Sequence, residues 1–222
     1  VTGVQTCALP IYLLEGCRIA PQRAALHATC NGDLDGPLVT WTFAQLEQHS
    51  VRVANFLRAR GVRADDAVAI ISPTVPGLFA AMMGTLLAAK PFPINWMLEA
   101  APLRDLLIQA KVVAVIALGP TEGFVVWDKV TQAVQGMSEP VPIYTLHDPF
   151  GDPHPNDLLG QAQALAPELS FDRPVAQRQD VACYVHSGGT TGHPKIVRIL
   201  HGGIDRKSTR LNSSHVALSR MP

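Results

Sequence analysis

The stretch VACYVHSGGTTGHPKIVRIL, residues 181 to 200, sets two apolar, strand-like runs on either side of three glycines, two adjacent threonines, a proline and a lysine. VACYVH and IVRIL both read as strands, so the loop SGGTTGHPK, residues 187 to 195, joins strand to strand and does not open a helix. That separates it from two familiar phosphate loops. The residues after Gly188 run GTTGHP, which lacks the GK[ST] ending of the P-loop and the GxGxxG spacing of a dinucleotide site. What remains follows from the atoms. Glycines let backbone N–H groups converge as an anion-binding nest, the hydroxyls of Ser187, Thr190 and Thr191 add donors, and Lys195 adds a mobile point charge. Such a set suits a polyphosphate, and it equally describes a flexible hairpin tip with a solvated lysine.

Upstream, apolar runs alternate with amphipathic ones. Thr42 precedes FAQLEQHSVRVANFLRARG, in which Leu46, Ser50, Val53 and Leu57 share one helical face and Gly61 stands at the expected C-terminal cap. AVAII, residues 67 to 71, predicts a buried strand, and Pro76 opens a helix over GLFAAMMGTLLAA. PFPI and VVAVIAL predict further strands, EAAPLRDLLIQA a helix, FVVWDKVTQAV a helix with Trp127, Val130 and Val134 inward, and VPIYTL another strand. The alternation predicts an α/β fold with a mostly parallel sheet covered by helices on both faces. HDPFGDPHPND, residues 147 to 157, reads as a surface loop.

The two ends read differently. VTGVQTCALPI, residues 1 to 11, is the in-frame translation of a common short-read sequencing adapter, and DRKSTRLNSSH, residues 205 to 215, translates its reverse complement, with SRMP at 219 to 222 continuing it. Residues 1–11 and 205–222 are therefore read as adapter-derived, and 12–204 as a partial domain. Without Arg206, Lys207, Arg210 and Arg220 the 18 Lys and Arg fall to 14, and without Asp205 the 18 acidic residues fall to 17, a net charge of −3. A mildly acidic chain with no basic cluster offers nucleic acid no electrostatic footprint. The longest apolar stretch is too short to span a bilayer, so the expected location is cytoplasmic. Cys17, Cys30 and Cys183 have neither metal nor disulfide spacing and are expected to be free thiols, and the scattered histidines predict no metal site.

YVHSGGTTGHPK, Tyr184 to Lys195, resembles the signature of the adenylate-forming superfamily, roughly [YF]xx[TS][SG]G[TS]TGxPK. WTFAQL at 41 to 46, VAIISPTVP at 68 to 76, LLAAKPFPINWMLE at 86 to 99 and ALGPTEGFVVWDKV at 117 to 130 resemble further segments in the family's order, the last two pointing to its acyl-CoA synthetase branch. Gly188 replaces a frequent serine, Ile196 a frequent glycine, Gln45 a usual glutamate and Lys90 a usual glycine. The resemblance implies the N-terminal part of the large domain of an acyl-CoA synthetase, with ATP, Mg²⁺ and coenzyme A taking part and a small carboxylic acid as substrate. It implies that Ser187, Gly188, Gly189, Thr190, Thr191, Gly192 and Lys195 hold the ATP phosphates, while the catalytic lysine, adenine pocket and most of the acyl tunnel lie downstream of Ile204. The fragment alone is then expected to be inactive. His186 and His201 are read as packing and support, and His193 as a variable position. Two alternatives stay open: an amino-acid adenylation domain of a peptide synthetase, and a non-catalytic nucleotide-binding module.

Overall fold

The structure, a computed structural model, describes residues 16–29, 33, 35–172, 176–187 and 194–204. A short antiparallel hairpin, β1 (Ala24–Thr29) and β2 (Leu38–Thr42), leads into α1 (Phe43–Ala59). The entry is fixed by a capping box: the Thr42 hydroxyl accepts the Gln45 N–H at 3.3 Å, and Gln45 Oε1 accepts the Thr42 N–H at 2.8 Å. Gln45 thus performs at this cap what a glutamate would. The helix ends where Gly61 takes φ = 85°, a conformation that costs glycine least.

The core is a parallel sheet in the order β4-β3-β5-β6, built from β3 (Ala67–Ile71), β4 (Lys90–Pro93), β5 (Val112–Leu118) and β6 (Ile143–Leu146). Every residue of β3 is buried, as a strand covered on both faces requires. Val68, Ile70, Ala114 and Ile116 face α1 and α2 (Pro76–Ala88); Ala67, Ala69, Ile71, Val115 and Ala117 face the opposite layer, α3 (Ala100–Gln109) and α4 (Val126–Gln135). The helices α1 and α2 pack closely at Gly84, where an added Cβ would lie 2.6 Å from the Ser50 carbonyl oxygen. Lys90, in the position of a usual glycine, opens β4 without disturbing it: its N–H donates to the Asp66 carbonyl at 2.9 Å and its ammonium pairs with Asp65 at 2.7 Å.

In α4 the inward stripe runs through Val126, Val130 and Ala133, so Trp127 and Val134 lie half-buried at its margin. Trp127 instead meets the ring of His154 at 5.2 Å. A short helix, α5 (Leu158–Ala162), follows the 147–157 loop and is capped by the buried Asp157, whose carboxylate accepts the Gly160 N–H at 2.7 Å. Beyond it the chain crosses α1, where buried Asn55 binds three backbone groups. Its Nδ2 donates to the Ala166 and Glu168 carbonyls at 2.9 and 2.7 Å, and its Oδ1 accepts the Ser170 N–H at 3.0 Å. This tether sets the run that leads into the last hairpin, β7 (Val181–His186) and β8 (Ile196–Leu200).

Candidate functional site

The glycine-threonine loop leaves the end of β7 and returns at the start of β8, so it joins two antiparallel strands as its flanking sequence predicts. At its neck the Ser187 N–H donates to the Lys195 carbonyl at 2.9 Å, and the Lys195 N–H donates to Ser187 Oγ at 3.2 Å. These two bonds hold the loop's ends together and leave the Ser187 hydroxyl hydrogen free to donate elsewhere. Pro194 is buried beneath the neck, while the Lys195 side chain stands in solvent. Gly188, Gly189, Thr190, Thr191, Gly192 and His193 lie outside the described residues.

The hairpin is fastened to the parallel sheet at two points. Tyr184 packs its ring edge to face with Phe92 of β4, 6.1 Å between centroids. Two residues further along the strand, His186 Nε2 accepts the backbone N–H of Asn95 at 3.0 Å. Asn95 sits in the turn after β4, where its Oδ1 accepts the Met97 N–H at 3.0 Å. The imidazole therefore joins the mouth of the loop to the carboxyl end of the sheet, the edge where α/β folds place ligands. His201, just beyond β8, is buried, and its N–H donates to the Asp180 carbonyl at 3.1 Å. Both histidines thus support the hairpin through backbone groups. Sequence reasoning put Ser187 and Lys195 at the loop but did not pair His186 with Asn95, although Asn95 lay inside a quoted segment.

Burial pushes the Cys183 thiol up, and burial followed by the Glu47 carboxylate raises that of Cys17. Both stay protonated near neutrality, which leaves neither poised as a nucleophile. Among the described residues no group of three or more His, Cys, Asp or Glu side chains converges in a metal-binding arrangement. None of their helices is long and apolar enough to cross a membrane.

Residues 15–219 match the family described as AMP-binding enzyme, a span that takes in residues 205 to 219. Marinolic acid–CoA ligase of Pseudoalteromonas sp. (strain SANK 73390) is 25% identical over 177 residues, covering 78% of this chain and 26% of the ligase. Long-chain fatty acid transport protein 1 of Mus musculus is 29% identical over 203 residues, 87% of this chain and 29% of the relative. Among solved structures, an acyl-CoA synthetase of Brucella canis superposes with a TM-score of 0.66 at 21% identity, over 90% of this chain and 34% of the synthetase. That likeness establishes the fold. The chain spans about a quarter to a third of the length of the proteins it matches.

Proposed function

The chain belongs to the AMP-binding enzyme family, and on that premise we propose that it is the phosphate-gripping part of an ATP-dependent acyl-CoA synthetase. The observation that carries the reading is the closed neck of the loop. Two hydrogen bonds between Ser187 and Lys195 close the two ends of the glycine-threonine segment on a hairpin that His186 anchors to the turn after β4. Similarity to a CoA ligase supports the acyl-CoA branch.

The reaction runs in two steps. A carboxylate oxygen attacks the α-phosphorus of ATP, the bond to the β-phosphate breaks, and acyl-AMP and pyrophosphate form. The thiol of coenzyme A then attacks the acyl carbonyl, loses its proton and expels AMP. The first barrier is largely electrostatic, since an anion must approach a polyanion. Backbone N–H groups of Gly188, Gly189 and Gly192, the hydroxyls of Ser187, Thr190 and Thr191, and the ammonium of Lys195 would hold the β- and γ-phosphates and offset charge on the departing pyrophosphate. Lys195, exposed in the structure, can swing its point charge toward the phosphates, as its flexible stem allows. Mg²⁺ would enter with ATP as MgATP, held chiefly by the phosphate oxygens.

Residues 1–222 alone are inactive in this reading, since the loop grips phosphates without a catalytic lysine, and the complete enzyme works in the cytoplasm. The test is pyrophosphate release by the complete protein, which should require MgATP and a carboxylic acid together and end in a CoA thioester. Release driven by amino acids and not by other carboxylic acids would place it with amino-acid adenylation domains. ATP binding with no release for any acid would make it a non-catalytic nucleotide-binding module.

A further inference from the structure

A groove of about 600 Å³ opens where β6 ends, between the N-terminal half of α1 and the 147–157 loop, and its walls include Trp41, His49, His147, Pro153, His154 and Asp157. The glycine-threonine hairpin rests on β4, at the opposite edge of the sheet β4-β3-β5-β6. Three strand spacings, about 14 Å, lie between those edges. The groove is thus a feature apart from the phosphate loop.

Its imidazoles are oriented from behind. Buried Asp157 accepts the His147 Nδ1–H at 2.7 Å on one carboxylate oxygen and the Gly160 N–H at 2.7 Å on the other. His147 Nε2 is then the ring nitrogen available to a ligand. His154 Nδ1 accepts the Asn156 N–H at 3.1 Å, which places that ring's proton on Nε2 as a donor. His49 lies over Trp41, 4.5 Å between centroids with the planes 32° apart. The charge around these rings has one sign to spare. Asp157 is the only acidic residue lining the groove, and both its oxygens are committed. Asp148, whose charge also reaches His147, turns its carboxylate to the Phe150 N–H and does not line the groove. One turn along α1 from His49, Arg52 keeps its Nε buried without a partner among the described residues. Burial first, and then the Arg52 charge, hold the His49 pKa down, so that ring stays neutral and flat against Trp41.

We propose that this groove binds a planar aromatic acid, with its ring laid against Trp41 and His49 and its carboxylate taken by His147 and His154. The volume lies in the range of small-molecule sites, which combine apolar walls with a few placed polar groups. Aromatic walls favour a flat ring, and imidazole donors beside an unpaired guanidinium favour an anion on it. The carboxylate that the proposed reaction activates must lie within reach of the phosphate loop, so this second site does not depend on that reading.

The test titrates the 222-residue chain with 2-naphthoate and, separately, with the neutral 2-naphthamide, by calorimetry at fixed pH. The acid should bind about tenfold or more tighter than the amide. His147→Gln should weaken the acid by about tenfold, as loss of a charge-assisted hydrogen bond does, and leave the amide within about threefold. A measurement on the unaltered chain runs beside the variant and is free of folding defects. Bound 2-naphthoate should protect His147 from carbethoxylation by diethyl pyrocarbonate, read by mass spectrometry, while the exposed His27 reacts as before. No binding of the acid, equal affinity for acid and amide, or no protection of His147 overturns the proposal. Loss of affinity in Lys195→Gln with none in His147→Gln places the acid at the phosphate loop and overturns the groove.

Discussion

The imidazole of His186 accepts the backbone N–H of Asn95 at 3.0 Å across 91 residues of sequence. Because an amide N–H can only donate, Nε2 is the acceptor and the ring proton sits on Nδ1, from where it reaches the Ser187 carbonyl at 3.3 Å. One side chain thus links the turn after β4 to the neck of the loop. In the proposed function, this link would fix the loop's position relative to the carboxyl end of the sheet.

His186→Ala removes this link. The contact is partly open to water, so its net worth is about 1 kcal/mol, and amide exchange at Asn95 should quicken by roughly five- to tenfold. Gln at 186 offers an acceptor oxygen and should restore part of the protection. Exchange at Asn95 that is unchanged in His186→Ala would show that the bond does not hold the hairpin.

Asn55 is the second long-range tether. Its side chain is 1% exposed and binds the backbone of Ala166, Glu168 and Ser170. Asn55→Leu would strand two carbonyls and an N–H against an apolar group, at a cost of about 2–4 kcal/mol after partial relaxation toward water. Urea unfolding should reveal it as a lower midpoint with the slope unchanged. An unfolding free energy within about 0.5 kcal/mol of wild type would mean that the 166–170 segment is held by other contacts.

The contrast between these sites and the sheet shows what the sequence makes legible. A buried strand such as AVAII announces itself through hydrophobicity, and the α1 boundaries through Thr42, Gln45 and Gly61, because each signal is local. That the loop joins strand to strand was legible for the same reason, since VACYVH and IVRIL flank it directly, whereas the bonds between Ser187 and Lys195 at its neck were not read. Asn55 reads as one polar residue on a helix and His186 as one histidine on a strand. Their roles are set by partners about a hundred residues away, which no periodicity encodes. Trp127 reads as inward with Val130 and Val134, yet the helical stripe passes through Val126, Val130 and Ala133 and leaves it half-buried at the margin.

His147 Nδ1 lies 2.7 Å from the buried carboxylate of Asp157, and this hydrogen bond raises the imidazole pKa above its ordinary value of 6.5, against an opposing effect of burial. A raised folded pKa means that the native state holds the proton longer than the unfolded chain. The stability it adds is therefore full below about pH 6.5 and is lost as pH rises through the folded value. Unfolding midpoints should fall between pH 6 and pH 8.5 in the wild type. In Asp157→Asn, which can still cap α5, that component should vanish. An equal slope in both proteins would refute the coupling.

Residues 1–11 and 205–222, read as translated adapter, would have had no selection for packing against the rest of the chain. A chain trimmed to 12–204 should then melt within about 2 °C of the full one and keep the same amide protection in β3 and β5. A melting temperature lowered by 5 °C or more would show that one of these ends contributes to the fold.

The sharpest test of the assigned chemistry falls on Lys195 in the complete enzyme. Its backbone closes the loop neck through the N–H and the carbonyl, while its side chain stands free, so Lys195→Ala should remove the charge and leave the neck intact. Adenylation should slow by about 10²- to 10³-fold, the loss typical of deleting one preorganised group that stabilises transition-state charge. Thr191→Ala should act in the same direction but less, since a neutral hydroxyl is the weaker donor. Supplied with preformed acyl-AMP, both variants should form the CoA thioester at nearly the wild-type rate, because no pyrophosphate remains to be held. Wild-type adenylation in Lys195→Ala, or an equal loss in both half-reactions, would remove the ammonium from the phosphate grip.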